Sequence, residues 1–167
     1  MNEKLLVSVI ILNFNQKDYT FDCVKSVLNQ SFQNFEIIIV DNSSNDGSYS
    51  YFVDAFKDNL KIKIFRTKKN LGYAGGNNFG VTKSQGKYIA ILNNDTVVKK
   101  DWLIWLLKGI ENEERVKVVG SIMPLANNSQ THDFSQKGVT LSLTGSTVYY
   151  PKKDKKENNF ERVFSAG

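Results

Sequence analysis

Asn93-Asn94-Asp95 places two amides and a carboxylate directly after the apolar run Tyr88–Leu92. A short run rich in β-favouring residues reads as a buried strand. Open α/β sheets bind ligands beyond the carboxyl ends of such strands. A carboxylate beside amide oxygens offers hard donors that suit Mg²⁺ or Mn²⁺ holding a diphosphate. The same triplet is also ordinary turn chemistry, and taken alone the turn is the simpler account.

Comparable polar groups follow other apolar runs. Asn13-Phe14-Asn15-Gln16 comes after Leu6–Leu12, Asp41–Gly47 (DNSSNDG) after Phe35–Val40, and the glycine-rich Asn70–Gly80 (NLGYAGGNNFG) after Ile62–Arg66. Asp41 could accept from the N–H of a base or could equally cap a turn. Glycines this dense at the start of a helix cost roughly 1 kcal/mol each relative to alanine. They are expected where the backbone passes close to a ligand or another element, with a flexible loop as the alternative. No G-x-G-x-x-G follows the first run, and Gly86-Lys87-Tyr88 lacks the Ser or Thr of a phosphate loop. Both glycine-loop modes of phosphate binding are therefore excluded.

These groups must be positioned by the elements between them. Strands are predicted at Leu6–Leu12, Phe35–Val40, Ile62–Arg66, Tyr88–Leu92 and Val116–Met123, with helices over Tyr19–Leu28, Tyr49–Phe56, the segment after the glycine-rich stretch to near Gly86, and Trp102–Ile110. Tyr19, Cys23, Val24, Val27 and Leu28 recur at helical spacing. Trp102 and Trp105 are expected in the core with Leu103, Leu106 and Leu107. Alternating strands and helices predict one α/β domain with a mostly parallel, Rossmann-like sheet. In it the four polar groups share one edge and converge on one crevice. Beyond Pro124, Gly138–Tyr150 alternates like a strand and Phe160–Phe164 is a further strand candidate.

The chain has 167 residues, 41% hydrophobic and 23% charged, with a net charge of +5. That is ordinary for a soluble globular domain. Mild basicity suits an anionic ligand but not the concentrated basic face of a nucleic-acid binder. The single cysteine, Cys23, allows no internal disulfide and reads as a small buried apolar side chain. No targeting or membrane-spanning segment is visible, so a cytoplasmic location is expected. His132 and Asp133 read as surface loop residues. Lys152, Lys153, Lys155 and Lys156 could meet an anionic lipid-linked acceptor or the membrane face, although a solvated loop accounts for them more simply.

The ordered motifs VSVIILNFNQ, IIIVDNSSNDGS, NLGYAGGNNFG and YIAILNNDTVV closely resemble those of family 2 glycosyltransferases of the GT-A fold, in particular the rhamnosyltransferase-like branch. The resemblance covers roughly Val7–Val119. It implies inverting sugar transfer from a UDP- or dTDP-sugar, dTDP-rhamnose among them, to a glycan or lipid-linked acceptor in polysaccharide synthesis. It also implies that Asp41 contacts a pyrimidine base and that Asn13, Asn15 and Asn70 line the nucleotide pocket. Gly75, Gly76 and Asn77 would lie near the donor. Asn93-Asn94-Asp95 would stand for the family's D-x-D motif, with Asp95 as the contact to a divalent metal. Asn93 replaces the first acid of that motif, and a lone carboxylate binds Mg²⁺ mostly through substrate phosphates. In the family the general base lies past a Ser-Gly-Ala-like turn, which Arg162–Gly167 (RVFSAG) resembles at its start. Residues 1–167 are accordingly expected to be one GT-A domain cut before its base, active in binding but not in transfer, and no base is named. A sugar-nucleotide pyrophosphorylase would want a glycine- and arginine-bearing loop after the first strand. A nucleotide-sugar binding module without catalysis is the remaining alternative.

Overall fold

Val7–Asn13 (β1) and Phe35–Asp41 (β2) are buried along almost their whole length, as continuous apolar runs require of strands covered on both faces. Ile62–Arg66 (β3) and Tyr88–Asn93 (β4) flank them in a parallel four-stranded sheet of order β3-β2-β1-β4. The helices are Lys17–Leu28 (α1), Ser48–Ala55 (α2), Gly72–Val81 (α3) and Trp102–Glu111 (α4). The computed structural model describes residues 7–111 and 116–121 and the backbone of 137–141 and 147–151. These fall in two compact units, Met1–Trp105 and Leu106–Gly167.

The first unit is the parallel α/β layer expected from the sequence. Ile10, Ile38 and Val40 form a buried cluster on one face of the sheet, packed by Leu12, Phe65 and Phe79. α3 lies against β1 and β2, and the glycine-rich stretch is itself this helix, ending at Val81 well before Gly86. A Cβ on Gly76 would fall 2.4 Å from Leu12 Cδ1, and one on Gly80 would fall 2.6 Å from Ile10 Cγ2. Close seating on the sheet thus offsets the poor helix propensity of the segment. On α1 the buried set is Thr20, Cys23, Val24 and Val27, while Tyr19 is 64% exposed. Leu103 is buried as expected, its N–H donating to Gln30 Oε1 at 2.9 Å, whereas Trp105, also expected in the core, is 44% exposed.

The second unit contains an antiparallel pair, Lys137–Leu141 (β5) with Thr147–Pro151 (β6), two strands at the ends of the stretch Gly138–Tyr150 where the alternation predicts one. The strand expected at Val116–Met123 does not form over residues 116–121, which have no regular structure. β propensity reports how side chains pack on a paired, pleated surface, and no ladder includes these residues. Residues 122–123, His132, Asp133, the lysines from Lys152 to Lys156, and the Phe160–Phe164 and Arg162–Gly167 segments lie outside the described residues.

At the amino edge of the sheet a charge sits inside an apolar strand. Glu36 is 2% exposed, and its Oε1 accepts from Ser8 Oγ at 2.6 Å and from the Gln85 N–H at 2.7 Å. Lys63 Nζ pairs with its Oε2 at 2.7 Å. Burial raises the Glu36 pKa, but bonds from Lys63, Ser8 and the Gln85 N–H outweigh it and hold the carboxyl below its usual range. A carboxylate lowered on folding stabilises above its unfolded pKa, about 4.3 for Glu, and loses that contribution as pH falls through the folded value. Urea midpoints should therefore decline as pH drops below about 4.3, and Glu36→Gln should remove that part of the decline. An unchanged acid limb in Glu36→Gln would place the titration elsewhere.

Gly86 closes the same edge. Its N–H donates to Ser8 Oγ at 2.8 Å, and a Cβ there would lie 2.5 Å from Ser8 N and 2.7 Å from Val7 C. Main chain cannot step aside as a Leu methyl can. Gly86→Ala should cost about 1–3 kcal/mol in denaturant unfolding, more than Gly76→Ala, which meets only the flexible tip of Leu12.

Candidate functional site

The four strands run the same way, so their carboxyl ends form one row. Asn13 pairs in register with Asp41, Asp41 with Arg66, and Leu12 with Asn93. The chain steps outward from β1 to β2 to β3, then returns across β1 to add β4 on its other side. The boundary between β1 and β4 is thus the topological switch point, where open α/β sheets leave a crevice.

Asp41 is the buried anchor of this row at 0% exposure. Its Oδ1 accepts from Asn13 Nδ2 at 3.0 Å, and its Oδ2 accepts from the Ser44 N–H at 3.2 Å and faces Arg66 Nε at 3.3 Å. The Ser44 bond makes Asp41 the turn cap that its composition allowed, and the residue also lies on the predicted strand-end row. Asn13, also 0% exposed, gives its other amide hydrogen to Ser44 Oγ at 3.0 Å and accepts from Thr20 Oγ1 at 2.8 Å. Arg66 donates to the Ser44 carbonyl at 2.7 Å and lies 5.5 Å from the Tyr49 ring centroid.

Asn15 holds a left-handed backbone, φ 54°, at the turn into α1. The turn is pinned by its N–H to Ser44 Oγ at 3.0 Å and by the Asn45 N–H to its Oδ1 at 2.9 Å. Such conformations persist only where the surroundings impose them.

The glycine-rich segment is tied to the end of β2 through Asn42. Asn42 Nδ2 donates to Asn70 Oδ1 at 2.9 Å, and the Leu71 N–H donates to Asn42 Oδ1 at 2.9 Å. Within α3, Gly75 is half-buried and Gly76 buried. Asn77 donates to the Tyr73 carbonyl at 3.0 Å, and its buried Oδ1 has no hydrogen-bond donor among the described residues. Tyr73, 62% exposed, gives its hydroxyl to Asn93 Oδ1 at 3.1 Å and so links α3 to the end of β4.

On the β4 side, Asn94 Nδ2 donates to Thr20 Oγ1 at 3.0 Å and to Gln16 Oε1 at 2.9 Å. Asp95 is exposed next to it. Cys23 Sγ lies 3.5 Å from the Asn93 carbonyl, and burial pushes its thiol up to about 12, opposed by a backbone bond from Thr96 and helped by the charge of Asp95. A thiol held that high is no nucleophile at neutral pH, which agrees with the packing role read from the sequence. Among the described residues no three His, Cys, Asp or Glu side chains gather as a metal cluster. The exposed Asp95 carboxylate flanked by amides still fits Mg²⁺ or Mn²⁺, ions that keep waters and are held through one or two carboxylates plus substrate phosphates.

The sequence reading therefore places Asn13, Asp41, Asn93, Asn94 and Asp95 on one edge, with Asn15, Asn70 and Asn77 in the loops and helix that border it. It missed Thr20, Ser44, Arg66, Asn42 and Tyr73. Thr20 had a signal, because 20, 23, 24 and 27 is a better helical stripe than one beginning at Tyr19.

The sequence matches the profile of Glycosyl transferase family 2 over residues 8–165. An uncharacterized glycosyltransferase of Haemophilus influenzae is 31% identical over 120 residues, spanning 72% of this chain and 37% of the relative. Among solved structures, S. aureus TarS 1-349 in complex with UDP-GlcNAc aligns with a TM-score of 0.59 at 21% identity, over 71% of this chain and 38% of that one. The mannosyltransferase PcManGT of Pyrobaculum calidifontis in complex with GDP-Man and Mn²⁺ aligns with a TM-score of 0.59 at 20% identity, over 66% of this chain and 33% of that one. This chain spans well under half the length of each. With a profile match along nearly its whole length and a parallel α/β sheet that shares the fold of these transferases, the chain belongs to glycosyl transferase family 2.

Proposed function

We propose that this chain binds a nucleotide-diphosphate sugar across the ends of β1 and β4 and serves in its inverting transfer to a saccharide or lipid-linked acceptor of a cell-surface polysaccharide. The observation that carries this reading is the meeting of the Asn13–Asp41–Arg66 row with the Asp95 loop at the switch point. The nucleoside end lies over Asp41, bordered by Asn13, Asn15 and Asn70. Gly75, Gly76 and Asn77 sit toward the sugar, and the buried acceptor of Asn77 is suited to a ligand hydroxyl. The diphosphate lies by Asn93, Asn94 and Asp95, where a bound Mg²⁺ or Mn²⁺ supplies charge to the leaving group. Fold alone does not choose the base, since one neighbour carries GDP-Man. A pyrimidine, as UDP or dTDP and with dTDP-rhamnose as one donor, rests on Asp41. No general base is assigned. No helix among the described residues is long and apolar enough to cross a membrane, and transfer at the cytoplasmic face is part of the proposal.

Thermal unfolding with nucleotides tests the reading. A ligand at a hundred times its dissociation constant adds about 2.7 kcal/mol, roughly 5–10 °C for a chain of this size. UDP or dTDP with Mn²⁺ should give that shift, and GDP or ADP a smaller one. Equal shifts from all four would remove the base role of Asp41, and no shift from any would remove the nucleotide site. Labelled donor offered with acceptor separates a transferase from a module that only binds.

A further inference from the structure

Hydrogen bonds run unbroken from the nucleoside end of this edge to the phosphate end, and they all point one way. Asp41 can only accept, which fixes the Asn13 amide with its nitrogen toward Asp41 and its oxygen toward Thr20. Thr20 spends its one proton on Asn13 Oδ1 at 2.8 Å and receives Asn94 Nδ2 at 3.0 Å. The chain is thus Asn94 to Thr20 to Asn13 to Asp41, crossing from β4 to β1 to β2 through a helix residue. Thr20 is 0% exposed on the first turn of α1, where a threonine hydroxyl usually returns to its own helix backbone. Here it bridges two strand ends. Bonds polarised in series reinforce one another, and a buried network of this kind specifies one arrangement of its members.

From this geometry we infer that Thr20 is a positioning residue for the metal-binding loop, holding Asn94, and with it the neighbouring Asp95, in register with the Asp41 end of the site. The inference deepens the proposed function and rests on it. Asp95 is exposed, and Asn94 is its immediate neighbour with a bond into the buried edge. Partners that orient a metal ligand without touching the ion are worth roughly 10–100-fold in affinity. A hydroxyl replaced by a methyl keeps the side-chain volume but cuts both bonds and takes the donor from the buried Asn13 Oδ1, a cost read as lower stability and not as lost Mn²⁺ dependence.

The test is calorimetry of UDP binding to the full chain, with Mn²⁺ and separately in EDTA. Thr20→Val should bind about 10-fold more weakly with Mn²⁺ while its affinity in EDTA stays near wild type, and Thr20→Ser, which keeps the hydroxyl, should follow wild type in both. A Thr20→Val that keeps the full Mn²⁺ gain, or that loses affinity equally in EDTA, overturns the inference and leaves Thr20 a packing residue. Should Thr20→Val fail to fold, Asn94→Ala severs the same link at a half-buried position, and an intact Mn²⁺ gain there overturns it equally. Wild type binding neither UDP nor dTDP is a different result, and refutes the nucleotide site itself.

Discussion

Replacing Asp41 by Ala should destabilise the chain by about 3 kcal/mol, or roughly 6–12 °C in melting temperature for this size. Truncation leaves one Asn13 amide hydrogen and the Ser44 N–H without their acceptor, both buried at the edge. A buried donor without a partner costs about 1–3 kcal/mol. Arg66 adds little, because its side chain is 47% exposed and water takes over its charge. Arg66→Met should therefore cost under about 1 kcal/mol, which sets the scale for the buried bonds. Asp41→Asn keeps the volume but turns an amide against one of the donors, so it should fall between the two. Urea unfolding of the three variants decides the order. If Asp41→Ala proves as mild as Arg66→Met, the bonds from Asn13 and Ser44 do not hold in solution.

The residues most legible in sequence were those whose role follows from position along one strand. Asn13, Asp41 and Asn93 close apolar runs, and a parallel sheet aligns such ends whatever its strand order. The order β3-β2-β1-β4, which makes β1 and β4 the switch point, comes from pairing over long separations that no local pattern encodes. The glycines of α3 show the limit differently. Their density rightly signalled a close approach, but only the coordinates show that Gly76 and Gly80 approach Leu12 and Ile10. Thr20, Ser44 and Asn42 were missed because a polar residue in a helix or turn satisfies the same composition rules whether its hydroxyl or amide faces water or a buried partner. Glu36 is a charge inside the run FEIIIV, which in sequence reads only as a buried strand, and its partners Ser8, Lys63 and Gln85 lie on three other segments. The strand expected at Val116–Met123 fails over the described residues for a related reason, since β-branched residues make a strand only where a neighbour pairs with them.

Asp95→Asn should weaken Mn²⁺-dependent UDP binding by roughly 10²–10³-fold, about 3–4 kcal/mol, because it removes the one negative charge of the triplet. Asn93 is already neutral, and its Oδ1 accepts from Tyr73. Asn94 is committed through its amide to Thr20 and Gln16. After the substitution only neutral oxygens would face a divalent ion, which gives up its waters reluctantly. Stability should change by no more than about 0.5 kcal/mol, since Asp95 is exposed and the turn bond from the Thr96 N–H to the Asn93 carbonyl does not involve its side chain. That contrast makes the prediction sharp. A turn-capping Asp95 would lower stability and weaken nucleotide binding alike with or without metal. A metal-binding Asp95 would leave unfolding unchanged and weaken UDP binding only when Mn²⁺ is present. Calorimetry in Mn²⁺ and in EDTA, beside urea unfolding of the same samples, separates the two. Equal loss of affinity in both buffers would return Asn93-Asn94-Asp95 to the turn that its composition alone describes.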